Sequence, residues 1–295
     1  MPREKINNML SFDIEDWYHP NLAKTDCLRD IAKEDRVKEP TLRILNLLDE
    51  TKNSATFFIL GEVAQRFPAL VTEIANRGHE VASHGFCHNL VYNYTKDQFE
   101  TDINKALKTL TDITGQEILG YRAPSWSLGK DTPWAWDVLH DSGFIYDSSV
   151  FPFKTFLYGD SSAPRFDYGI GLDGDRGIRE VPPSVMRISG QRVPFSGGFY
   201  FRILPYQFIK AGIQQYNNLG KPALLYLHPW EMDVGQPRLN LPARDRFIMY
   251  ANIKRTEKKL RKVLQDYRFV PIKDYFDAAA PQSQSHDISL RVEVD

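Results

Sequence analysis

Apolar residues along this chain fall into two alternating rhythms. Short unbroken runs such as Ala55–Leu60 and Leu224–Leu227 read as strands buried on both faces of a parallel sheet. Met9–Ile14 is a similar run that ends in acids. Between such runs apolar residues recur three and four apart, the helical period. Thr41–Glu50 places Leu42, Leu45 and Leu48 on one face, and Glu62–Asn76 reads as a helix stopped by Arg77-Gly78. Lys96–Thr114 reads as a long amphipathic helix closed by Gly115. Glu80–Ser83, Leu119–Tyr121, Phe144–Tyr146 and Phe269–Pro271 supply further strands, and Pro133–Ser142 and Asp245–Gln265 further helices. Strands alternating with helices of this length predict βαβ units around a mainly parallel sheet or barrel.

Phe151–Tyr206 breaks the rhythm. It is rich in Gly, Pro and aromatics and is expected to be an insertion of loops and short antiparallel strands, where specificity tends to reside. The residues after Ala280 are polar and aperiodic, so 281–295 is expected to be a disordered tail. With 295 residues, 42% of them apolar, the rest reads as one α/β domain, residues 1–280. A net charge of −1 gives no electrostatic case for nucleic acid or an anionic membrane as partner. Cys27 and Cys87 are the only cysteines, too few for a disulfide framework. The first residues show no apolar signal-peptide core, and no run is long enough to span a membrane, so a cytoplasmic protein is expected.

The strand ends carry the chemistry. In parallel α/β architectures functional groups gather at the carboxyl ends of the strands. Here five predicted strands end in Asp13-Ile-Glu15-Asp16, in His84 and His88, in Arg122-Ala-Pro-Ser125, in Asp147 and in His228-Pro-Trp230-Glu231. Two histidines four residues apart share one face of a helical turn and can point at one ion. A carboxylate added to them makes the composition of an open catalytic zinc site. A second carboxylate left off the metal can serve as general base, His228 as general acid and Arg122 as the partner that keeps an acid ionised. Trp126, Phe195, Phe199 and Trp230 lie near these motifs and are read as the sugar-facing surface, although each suits a core equally well.

Taken together, these motifs resemble the NodB-homology polysaccharide deacetylases, carbohydrate esterase family four, over about Met9 to Tyr275. Ser11-Phe-Asp-Ile-Glu-Asp-Trp-Tyr-His19, Phe195-Ser-Gly-Gly-Phe-Tyr-Phe-Arg-Ile-Leu-Pro205 and Tyr226-Leu-His-Pro-Trp-Glu231 are similar to the subgroup in exopolysaccharide loci associated with exosortase sorting. The resemblance implies a distorted (β/α) barrel of about seven strands and metal-dependent release of acetate from N-acetylated hexosamine units of a polymer or oligomer. It implies Asp13 as general base held by Arg122, His84 and His88 as ligands of zinc or a similar divalent ion, and His228 as general acid. Ser125 would offer its backbone N–H to the oxyanion. Three places depart from the family pattern. Ile14 stands where the second aspartate is usual, so the carboxylate ligand is Glu15 or Asp16, with strand alternation favouring Glu15. Tyr226 replaces a leucine. The fourth motif is matched only by Asp147 with Ser148, placing Asp147 at the substrate side, where it orients His228 or caps a turn. An amidase acting on a small non-sugar amide and a catalytically silent sugar-binding module are the two competing readings. Oligomeric state is not readable from these residues.

Overall fold

The computed structural model describes residues 6–20, 34–172 and 176–279. Cys27 and the 281–295 tail lie outside them. β1 (Asn8–Ile14) is buried along its whole length. It pairs in parallel with β2 (Thr56–Ile59) on one side and β10 (Leu224–Leu227) on the other. The sheet continues through β3 (Glu80–Ser83), β4 (Gly120–Tyr121), β5 (Tyr146–Asp147) and β7 (Gly177–Glu180). From β10 to β7 these seven strands are all parallel. β6 (Tyr168–Gly171) pairs antiparallel beyond β7, and β11 (Phe269–Val270) pairs with the start of β1.

The sheet curls into a half-barrel. The far edge of β10 is met by the segment after β7: Ser184 N–H donates to the Leu224 carbonyl at 3.1 Å, and Tyr226 N–H to the Ser196 carbonyl at 3.0 Å. Gly197 permits this approach, since a Cβ there would stand 2.0 Å from the Tyr226 carbonyl oxygen. The expected distorted barrel of about seven strands is therefore what the chain forms.

Side-chain alternation divides each strand between two environments. Leu10, Phe12, Ile14, Phe57, Ile59, Val81, Leu225 and Leu227 join the main core under the helices. Met9, Phe58, Ala82, Tyr146 and Leu224 pack inside the barrel. The helices covering the outside are α1 (Lys38–Thr51), α2 (Gly61–Arg66), α3 (Pro68–Asn76), α4 (Lys96–Thr114), α5 (Trp134–Asp141), α6 (Gly198–Ile203), α7 (Tyr206–Asn218), α8 (Ala243–Tyr250) and α9 (Ile253–Asp266), with α10 (Ile272–Ala279) following β11. α4 begins with a full capping box between Thr95 and Gln98 and ends on Gly115 in the left-handed region.

Two predicted helices are each two. Glu62–Asn76 breaks at Phe67, because Pro68 has no N–H to continue the ladder and starts α3 instead. Asp245–Gln265 breaks at Ala251-Asn252, where Asn252 takes a left-handed backbone (φ 58°). The Phe151–Tyr206 region also differs from its expected form. It does hold an antiparallel hairpin, β8 (Val185–Ile188) with β9 (Gln191–Pro194), but its β7 is a strand of the barrel and α6 is a helix. Among the described residues no helix is long and apolar enough to cross a membrane.

Candidate active site

Alternation along β1 sends Ser11, Asp13 and then Glu15 to the barrel interior, and the neighbouring strands deliver the other groups at the same end. All but a sliver of Asp13, Glu15, His84, His88 and Arg122 is buried. His84 follows β3 directly. His88 returns to it not on a helical turn, as the spacing suggests, but on an irregular loop. Gly85 turns the chain at φ +77°, and the Asp102 carboxylate of α4 then accepts the N–H groups of Phe86 and Cys87 at 2.7 and 3.2 Å. A carboxylate one helix away thus holds the two imidazoles together.

Glu15, His84 and His88 form one group, each offering a ligand atom within 4.8 Å of the others. Glu15 Oε2 is 2.7 Å from His88 Nε2 and 4.0 Å from His84 Nε2. His84 Nδ1 is 2.7 Å from the Arg122 carbonyl, to which it donates, leaving Nε2 bare toward the group. Burial pushes the His84 imidazole down to about 4, so it is neutral, the form that ligates. Burial alone would raise the Glu15 carboxyl, but His88, His228 and His84 outweigh it and hold it far below the usual carboxylate range. One anionic oxygen and two imidazole nitrogens, convergent and with one tautomer fixed, fit a divalent ion.

Asp16 is not part of this group. The strand ends at Ile14, and the Asp16 carboxylate turns away to accept the N–H groups of Trp17, Arg36 and Val37 at 2.8, 2.7 and 3.0 Å. It ties the turn after β1 to the start of α1, a structural task.

Arg122 projects from the end of β4 into the barrel. Its Nη1 donates to Asp13 Oδ1 at 2.6 Å and to the Ser11 hydroxyl at 2.8 Å. Its guanidinium lies over the Phe58 ring (4.1 Å) and under that of Trp126 (4.9 Å). A fully buried arginine so stacked cannot swing away, which fixes the Asp13 carboxylate.

His228, at the end of β10, is 3.8 Å from Asp13 Oδ2 and 3.6 Å from Glu15 Oε1 through Nε2. Its other nitrogen is held by Glu231 Oε2 at 2.9 Å, and Glu231 Oε1 accepts from Arg202 Nε at 2.7 Å. Burial lowers the His228 imidazole, but the Glu15, Glu231 and Asp13 carboxylates overcome it and hold it up at about 9. Trp230 stacks on His228 with ring centroids 5.2 Å apart and donates its indole N–H to Glu15 Oε1 at 3.0 Å. That places Trp230 as a brace between acid and imidazole as much as a wall of the pocket.

These groups open into a pocket of about 170 Å³, whose walls include Tyr92, Trp126, Leu157, Tyr158, Phe199 and Tyr226. Ser125 lines it too, with Ser125 and Trp126 both at positive φ (53° and 55°). That backbone costs about 1–2 kcal/mol per residue bearing a Cβ, and here it turns the Arg122-Ala123-Pro124 strand end into the pocket wall.

Asp147 and Phe195 are elsewhere, which corrects two expected substrate contacts. Strand β5 includes Asp147, one residue beyond the apolar run, and the pleat points Tyr146 into the barrel and Asp147 to the helix-covered face. There its carboxylate accepts the Trp136 indole N–H at 2.9 Å, and Glu231 takes the place beside His228. Phe195 is fully buried against α7, where a Cβ on Gly212 would lie 2.5 Å from its ring. Glu231 was visible as an acid three residues after His228. Arg202, Ser11 and Ser148 gave no comparable signal, because hydroxyls and a helix arginine become informative only when the barrel brings them to Asp13 and Glu231.

Residues 30–144 match the polysaccharide deacetylase family model, and residues 148–277 match a domain of unknown function, DUF3473. The chain carries a polysaccharide deacetylase domain over this first segment. Strands from both matched segments belong to one sheet, with β1 and β5 between them, and both segments lend residues to the pocket. A peptidoglycan deacetylase-like protein of Gibberella zeae is 28% identical over 58% of this chain and 49% of its own. A peptidoglycan deacetylase of Helicobacter pylori is 32% identical over 37% of this chain and 36% of its own. The matches thus span half or less of these relatives. The crystal structure of a putative polysaccharide deacetylase from Mycobacterium smegmatis shares the fold, with a TM-score of 0.64 at 21% identity, covering 100% of this chain and 97% of that one.

Proposed function

We propose that this protein is a divalent-metal hydrolase that removes N-acetyl groups from hexosamine units of a polysaccharide or its precursor, releasing acetate. The observation that carries this reading is the convergence, in one buried pocket, of the Glu15–His84–His88 donor set with Asp13 held by Arg122 and His228 held by Glu231. Glu15, His84 and His88 would hold the metal, zinc by their donor chemistry; when bound, it supplies a Lewis acid that polarises a carbonyl and acidifies water.

The chain's own residues do the rest. Asp13, fixed by Arg122, takes the proton of the attacking water as general base. The N–H of Ser125, on its strained turn, faces the oxygen that gains charge, the contribution that often dominates acyl transfer. His228, kept protonated by its three carboxylate neighbours, hands its proton to the departing sugar amine. Trp126 and Phe199 offer apolar faces on which a pyranose ring can rest. The likeness of the sequence to exopolysaccharide-locus deacetylases supports a polymer-building setting for the substrate.

The test is acetate release from purified protein on N-acetylated hexosamine oligomers, with chelator and then with each added divalent ion. Metal-restored release is expected, lost in Asp13→Asn and in His228→Ala. Full activity in either variant, or release only from small non-sugar amides, overturns the assignment.

A further inference from the structure

On the outer face of the sheet, away from the pocket, β5 and β7 set Asp147 directly opposite Glu180, both with no solvent exposure. Asp147 accepts the Trp136 indole N–H from α5 and the Ser149 hydroxyl. Glu180 accepts the N–H groups of Val150 and Ser149 at 3.0 and 3.4 Å. Among the described residues neither carboxyl has an ion-pair partner. The other ionisable groups that face the pair are the phenols of Tyr121 on β4 and Tyr168 on β6, which bring no positive charge. Two adjacent carboxylates in a dry site without a cation cannot both ionise; such a pair keeps one proton between them. Burial and the neighbouring Asp147 push the Glu180 carboxyl up, in keeping with Glu180 as the protonated member.

The two serines after Asp147 give the pair its consequence. The Ser148 carbonyl and hydroxyl accept from Arg122 Nε and Nη2 at 3.0 and 2.8 Å. The Ser149 hydroxyl donates to Asp147 and, with its oxygen so oriented, accepts the Ala123 N–H at 2.8 Å. Arg122 fixes Asp13, and Ala123 leads through Pro124 to Ser125. The step Ser148-Ser149 is therefore a shelf for both the base and the proposed oxyanion turn.

We propose that Asp147 and Glu180 share one proton and act as positioning residues, clamping the Ser148-Ser149 shelf that holds Arg122 and the 123–125 turn in register. The catalytic consequence rests on the deacetylase reading above; the shared proton and the shelf do not. Three measurements on the full chain test it. Infrared difference spectra of wild type against Glu180→Gln at neutral pH are expected to show a protonated-carboxyl stretch in the wild type that Gln removes. Hydrogen exchange over residues 121–126 is expected to stay slow in Glu180→Gln, which keeps a neutral donor facing Asp147, and to accelerate at least tenfold in Glu180→Ala. Acetate release is expected to keep its kcat within about threefold in the Gln variant. In the Ala variant it is expected to fall roughly tenfold to 100-fold with KM little changed, the size of a positional error. Absence of the band in the wild type, or unchanged exchange in the Ala variant, overturns the proposal. The band and the exchange pattern without acetate release under any metal uphold the clamp and sink the deacetylase reading instead.

Discussion

Replacing Glu231 by glutamine preserves its shape and removes its charge, and two consequences can be sized. Glu231 and Arg202 are both essentially unexposed and meet at 2.7 Å. Breaking a buried pair by neutralising one member costs about 3–5 kcal/mol, because the other charge stays buried. Arg202 keeps the carbonyls of Met249 and Ala251 at 3.2 and 2.7 Å, which argues for the lower end, about 3 kcal/mol. With 295 residues and an unfolding entropy of roughly 2.1 cal/mol/K per residue, the melting temperature should drop by about 5 °C. The second consequence is chemical. Glu231 is one of the carboxylates that hold His228 up at about 9, and it orients the ring through Nδ1. An amide does the second only weakly and the first not at all, so kcat should fall about 100-fold, within the range of general-acid contributions. Thermal melts by circular dichroism and acetate-release kinetics on the same preparations read both. A Gln variant that melts within about 1 °C of wild type and keeps its kcat would refute the reasoning.

Three further outcomes are expected. Glu15→Gln should retain no divalent metal after dialysis. Asp16→Asn should retain one per chain yet lose about 1–2 kcal/mol of stability with its N–H contacts; elemental analysis and melts decide, and the reverse pattern would exchange the two acids' roles. His79 is buried against Phe57 with neither ring nitrogen hydrogen-bonded among the described residues, and burial lowers it from the ordinary 6.5 to about 4. The unfolded chain therefore takes up this proton first as pH falls. Its contribution is complete above 6.5 and declines toward pH 4 by about 3 kcal/mol. Urea melts at pH 7 and 4.5 should show His79→Leu escaping that loss; an equal pH response in both chains would contradict it. Phe199→Ala should raise KM with stability near wild type, whereas Phe195→Ala should cost about 3–5 kcal/mol of stability and leave KM alone.

Much of this molecule was legible from pattern alone. The runs at Met9, Ala55, Glu80 and Leu224 became strands because apolar residues at consecutive positions satisfy a sheet buried on both faces. The acids and imidazoles that meet in the pocket stand at or just beyond the ends of those runs, since a parallel sheet brings the carboxyl ends of its strands to one edge. Alternation along β1 also gave reason to favour Glu15 over Asp16 for the inner face. What the linear pattern could not decide was face and partner. Asp147 lies within β5 and not beyond it, so the pleat that sends Tyr146 inward sends Asp147 to the helix side, and no local preference marks that boundary. Phe195 is core because α7 happens to present Gly212 to it. His84 and His88 converge through Asp102, a residue on another element, instead of a helical turn. Glu231 acquires its charge partner from Arg202, 29 residues away in sequence. Strand identity follows from the energetics of a few consecutive side chains, so the sequence determines it. The orientation of a carboxylate or an imidazole depends on long-range neighbours whose contacts exist only once the barrel has closed, so only the tertiary structure decides it.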